Sequence, residues 1–69
     1  MKAALIENRP GAVRRVYLVT SGRSSWRAAH HVPTGHWRVV TSGSERAVTK
    51  TVFRRVVGAC EALAEAMDL

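Results

Sequence analysis

The sequence predicts an α+β domain: an antiparallel sheet of three to five strands with one C-terminal α-helix packed on one face. Three observations predict it. β-Branched and aromatic residues gather in short runs, and glycine-containing turns cut those runs apart. Val-Thr-Ser-Gly closes two of them, at Val19–Gly22 and Val40–Gly43. The last third of the chain spaces its apolar residues at helical intervals instead of alternating them.

The first extended stretch is Lys2 to Glu7, short and apolar, and Asn8-Arg9-Pro10-Gly11 ends it. Proline presets one backbone angle there and glycine permits the unusual one, which together spell a turn. Val13 to Thr20 follows, with Arg15, Tyr17 and Val19 on one face and Arg14, Val16, Leu18 and Thr20 on the other. Ser21-Gly22 opens the next turn. Ser25 to Val32 is a weaker strand because Ala28 and Ala29 have low strand preference. Pro33-Thr34-Gly35 is a hairpin turn, and His36 to Thr41 is the next strand. Ser42-Gly43-Ser44 breaks the chain again. The repeated phrase is therefore strand end plus glycine turn, too short to mark a duplicated module.

Val52, Phe53, Val56, Cys60, Leu63 and Met67 form a continuous helical stripe, with Arg54, Arg55, Gly58, Glu61, Glu65 and Asp68 mainly off it. Two starts fit. Ser42-Gly43-Ser44-Glu45 matches a capping box. Alternatively Arg46 to Thr49 runs as a short strand back along Val39 to Thr41, and Thr49 or Thr51 caps a later helix. The alternation at Ala47-Val48-Thr49 favours the later start. One face of the sheet is then covered and the other open.

Sixty-nine residues make one domain, spanning 1–69, with a limited core. Cys60 is alone, so no internal disulfide forms, which fits a reducing, cytoplasmic setting. The opening MKAALIENRP is too short for a signal-peptide core, and no apolar run is long enough to span a bilayer, so no membrane partner is expected. Charge is distributed unevenly. Arg9 to Arg55 holds ten basic residues and one acid, Glu45, a net +9; beyond Val56 there are only Glu61, Glu65 and Asp68. Neutralising phosphates releases counterions, so such a basic body suits a polyanion. The same charge also serves plain solubility.

Catalytic signatures are absent. Gly22, Gly35 and Gly43 sit in separate turns and make no phosphate loop. The three C-terminal acids share an exposed helical side and form no acid–base pair. Cys60 lies in the apolar stripe, where a thiol is a small core residue. His31 and His36 meet across the Pro33–Gly35 hairpin while His30 points away, and two ligands without a second cysteine do not complete a zinc site. No metal or cofactor is assigned. The two imidazoles read as a polar sheet edge, or as phosphate contacts that strengthen as they charge in mild acid.

The stronger constellation interleaves arginine with aromatics: Arg14, Arg15 and Tyr17; Trp26 and Arg27; Trp37 and Arg38. If both tryptophans face the core, Arg27 and Arg38 share the open face, where arginines from adjacent strands reach phosphates or guanine edges. If the tryptophans face outward, they become stacking platforms for single-stranded bases. A third reading has the arginines meet an acidic protein surface. The candidate nucleic-acid-binding residues are Arg14, Arg15, Arg23, Arg27, Arg38 and Trp26.

From His31 onward, Val32-Pro33, Gly35, Trp37, Val39, Gly43, Arg46, Ala47 and Thr49, with alanines from Ala59 to Ala66, resemble a family of short bacterial ββα domains. That family usually starts its helix with Thr-x-x-Glu-Ala, which Thr49-Lys50-Thr51-Val52-Phe53 lacks. The resemblance implies a fold and no activity. The outline is also similar to the three-stranded sheet plus helix of arm-type DNA-binding domains in phage and transposon integrases. By that likeness Arg27 and Arg38, with Arg14 or Arg15, would face the major groove. Met1-Lys2-Ala3-Ala4 with Ile6 resembles the opening of some small phage anti-CRISPR proteins, which are non-catalytic binders. The expected function is non-enzymatic binding of DNA or RNA through a basic sheet face. The alternative is a phage- or mobile-element-borne inhibitor docking on an acidic protein or nucleoprotein surface. A homodimer is plausible from the small core and open sheet edges.

Overall fold

The computed structural model describes residues 1–8, 11 and 13–69. They form β1 (Lys2–Glu7), β2 (Arg14–Ser21), β3 (Ser24–His31), β4 (His36–Thr41) and α1 (Lys50–Ala66). Each strand pairs antiparallel with its sequence neighbour, giving one open four-stranded sheet in the order β1-β2-β3-β4. With its single C-terminal helix the chain is an α+β fold.

The turns explain this simple meander. Gly22 (φ 60°) is the first of two residues joining β2 to β3, and Gly35 (φ 74°) ends the β3–β4 turn, donating its N–H to the His31 carbonyl at 2.8 Å. Both adopt left-handed backbone that a side chain disfavours. Thr34 Oγ1 braces that second turn, lying 2.7 Å from His31 Nδ1 and accepting from the His36 N–H at 3.4 Å. In the β1–β2 connection, Arg9 and Pro10 of the expected turn lie outside the described residues.

One irregularity matters for the surface. Leu5 opposes Tyr17, but Glu7 opposes Val16, so Ile6 is an extra residue in β1. A bulge re-aims the residue beyond it. Here it puts Glu7 beside Val16, where its Oε2 accepts from Arg14 Nη2 at 3.5 Å. Ile6 is left 53% exposed.

The register defines two sheet faces. On the covered face, Leu5, Tyr17, Ala28 and Val39 make the central row; Ala3, Val19, Trp26 and Thr41 lie to one side, and Arg15, His30 and Trp37 to the other. Tyr17, Val19, Ala28, Val56 and Cys60 have no exposed surface, and both tryptophans pack against this cluster. Ala28 explains an alanine in a strand: at the centre of the row a minimal side chain leaves room for the helix, and packing outweighs intrinsic preference.

Thr49 starts α1. Its backbone is extended (φ −68°, ψ 160°), and its Oγ1 accepts from the Val52 N–H at 3.3 Å. Such a cap contributes about 1 kcal/mol. The earlier capping box at Ser42–Glu45 is not used. Glu45 instead takes a left-handed backbone (φ 54°) inside a loop closed by Thr41 N–H to Arg46 carbonyl at 2.9 Å. The expected strand Arg46 to Thr49 reduces to a single bridge, Ala47 opposite Val40. At the other end Met67 is the C-cap and 48% exposed, so it leaves the apolar stripe. The backbone turns left-handed at Asp68 (φ 60°), and helical periodicity stops holding there.

The helix has no acid in its first turn and no base in its last. Lys50, Arg54 and Arg55 precede Glu61 and Glu65, the reverse of what the macrodipole prefers. Its stability comes from the buried stripe. No helix among the described residues is long and apolar enough to cross a membrane.

Candidate functional site

The face opposite the helix is lined by four cross-strand rows. Arg14, His31 and His36 form one end; Glu7, Val16, Ala29 and Arg38 come next; then Ala4, Leu18, Arg27 and Val40; then Lys2, Thr20 and Ser25. Strand alternation places them there. Because Trp26 and Trp37 go to the core, their neighbours Arg27 and Arg38 must go to the other side.

Arg27 and Arg38 stand on adjacent strands, one diagonal step apart. That step brings their stems within roughly 7–8 Å. Arg14 approaches from β2. The three arginines line a hollow of about 190 Å³ whose floor is Ala29 and Val40. Val16, on the same face, is only 6% exposed although no helix covers it. Its neighbours there by register and alternation are Glu7, Arg14, Leu18 and Ala29, whose side chains crowd around it. Arginine stems do this while the guanidinium stays in water.

Glu45 also lines the hollow, and a second recess beside it runs along Arg27, Thr41 and Gly43. The sequence signal for Glu45 was available: it is the one acid within the +9 segment. What sequence patterning did not reveal was that a loop would lift it onto the arginine face.

Three of the six candidate residues lie elsewhere. Arg15 is one residue from Arg14 and so belongs to the helix side. It lines a different hollow, of about 510 Å³, with Tyr17, His30, Trp37, Glu61 and Glu65. With two acids against one arginine, that setting is a poor match for a polyanion. Arg23 sits exposed in the β2–β3 turn, at the opposite end of β2 from Arg14. Trp26 packs against the core from the helix side, not as an outward stacking platform.

His30 parts from the other two histidines in the same way. Its ring stacks on Trp37 with centroids 4.1 Å apart and planes within 4°. Burial, then the Arg15 charge, lowers its pKa, with His31 adding to the effect and Glu61 opposing it. Stacked on Trp37, His30 serves as a packing residue on the helix side. Cys60 is buried, and burial with the neighbouring Glu61 pushes its thiol up to about 11. A thiol held neutral in this way is a poor nucleophile. Among the described residues, no three His, Cys, Asp or Glu side chains gather as a metal-ligand set.

Fold and face together define a class: a one-helix, open-faced α+β domain whose free sheet surface is cationic. No family model, curated protein or solved structure matches the chain, so its function has to be argued from its own residues.

Proposed function

We propose that this protein is a non-catalytic nucleic-acid-binding domain that uses its open sheet face. One observation carries the reading: arginines from three strands, Arg14, Arg27 and Arg38, outnumber the one acid, Glu45, around a hollow on a surface no helix covers. A phosphate entering the hollow meets several forked donors at once, which suits arginine better than any other side chain. The net +9 of the surrounding segment supplies the long-range attraction. His31 and His36 continue the end row beyond Arg14 and add ring nitrogens there.

The test is fluorescence anisotropy with labelled oligonucleotides across a salt series. Arg27→Ala with Arg38→Ala should weaken binding and reduce the slope of log K against log salt by about 2, since each duplex phosphate contact contributes roughly 0.9. Circular dichroism should show the fold retained, because both side chains are exposed. A folded double variant that binds like the parent refutes the assignment of this face.

A second reading rests on the apolar residues among the arginines. Val16, Leu18 and Val40 give the face a mixed character also found where arginine-rich surfaces meet acidic proteins. An inhibitor docking on a host protein complex fits that chemistry. A partner retained after nuclease treatment, and lost with the same double variant, favours this reading; a partner lost to nuclease favours nucleic acid.

A further inference from the structure

The structure points further, to the form of nucleic acid, and this step rests on the reading just proposed. We infer that the open face binds double-stranded nucleic acid through its phosphates, and that unpaired strands bind it weakly.

The inference comes from where the rings go. The chain has four Phe, Tyr and Trp residues: Tyr17, Trp26, Trp37 and Phe53. Every one is committed to the helix side. Tyr17 is wholly buried at the centre of the core, and Trp26, Trp37 and Phe53 pack against it. Tyr17 and Trp37 lie 5.6 Å apart, and His30 covers a face of the Trp37 ring. None of these rings can meet a base on the arginine face without opening the core.

Single-strand binders depend on such rings. Each stacked base typically adds about tenfold or more to affinity, because unpaired bases offer their faces freely. This protein gives up that contribution, and on the open face the arginines are the groups left to hold a nucleic acid. Cations reward charge density, and a duplex carries one charge per about 1.7 Å of its axis from both strands together. The diagonal step between Arg27 and Arg38, with Arg14 on the next strand, spreads donors over the sheet instead of along a single track. A duplex presents phosphates of both its strands to such a patch, which raises the density of charge within reach of the three arginines. Ala29 and Val40, the apolar residues lining the hollow, carry no aromatic ring on which a base could stack.

The experiment compares one sequence in three forms: a 20-mer DNA duplex, the same strand unpaired, and the matching RNA duplex, each in low salt. At least one duplex should bind tenfold or more tightly than the unpaired strand. Tryptophan emission should hardly change when the unpaired strand is added, since neither indole meets a base. Equal or tighter binding of the unpaired strand, with tryptophan quenching, overturns the inference while leaving nucleic-acid binding intact. Binding of no form, with the parent matching the Arg27→Ala, Arg38→Ala variant, removes the functional reading itself and this inference with it. The DNA and RNA duplexes separate the two sources of the phosphate ladder.

Discussion

Tyr17→Phe should make this protein more stable. The Tyr17 ring is wholly buried at the middle of the sheet, and its hydroxyl, also buried, makes no hydrogen bond to any described residue. Burial raises its pKa; the nearby Arg15 charge opposes this, while Cys60 adds to it. Arg15 lies near enough to act on the hydroxyl through its charge and a weak side-chain contact, short of a well-formed hydrogen bond. Burying a hydroxyl without a partner costs about 1–3 kcal/mol in protein mutational series. Phenylalanine keeps the ring, the contact with Trp37 and nearly all the volume. The Arg15 charge offsets part of the cost, so the gain should be about 1 kcal/mol. In a 69-residue chain that corresponds to a rise in Tm of roughly 7 °C. Thermal and urea unfolding followed by far-UV circular dichroism measure it. Tyr17→Ala serves as the contrasting variant, because emptying the centre of so small a core should cost about 3–5 kcal/mol. A Tyr17→Phe protein that melts at or below the parent's Tm refutes the reasoning, since the hydroxyl must then be bonded in the folded state.

Two further outcomes follow from Glu45 and Cys60. Glu45→Gln should tighten polyanion binding about threefold at low salt, the order expected for removing one screened like charge beside the hollow. Glu45→Gly should do the same and also stabilise the fold by about 0.5 kcal/mol, because relief of the φ 54° backbone exceeds glycine's entropic cost. Affinity unchanged in both variants means the carboxylate does not act on the arginine hollow. For Cys60, the native thiol titrates near 11 against 9.0 for a free one, so the unfolded chain loses its proton first. Its contribution to stability is full below pH 9 and is lost as pH rises through 11, about 3 kcal/mol in all. Urea midpoints at pH 8 and 10.5 should show that decline in the parent and a smaller one in Cys60→Ala; equal declines argue against a buried, neutral thiol.

Much of the architecture could be read along the chain, because it follows from local rules. β1 and β4 begin and end where alternation and turn residues place them, and the two central strands differ from expectation by a residue at each end. The Thr49 cap was one of two threonines the pattern allowed. Alternation also separated Arg14 from Arg15 and tied each tryptophan's direction to that of the arginine beside it. What it left undecided was the absolute assignment, namely which side of the sheet the helix covers. Tertiary packing decided that. The side with Tyr17, Val19, Ala28 and Val39 is the one flat and apolar enough to take Val56 and Cys60, and once it is covered Arg27 and Arg38 have only the free side left.

The departures occur where non-local contacts outweigh pattern. Glu45 fits the third position after a capping serine, yet the hydrogen bonds of the Thr41–Arg46 loop hold it left-handed above the arginines. Ile6 continues an apolar run, yet pairing with β2 expels it and swings Glu7 onto Arg14. By itself the sequence determined an α+β fold, the turns after β2, β3 and β4, the helix and the uneven charge, since these depend on residues close along the chain. Only the tertiary structure decided that three arginines share a hollow while all four aromatic rings turn inward. That outcome depends on which surfaces bury one another, and burial is a property of the folded whole.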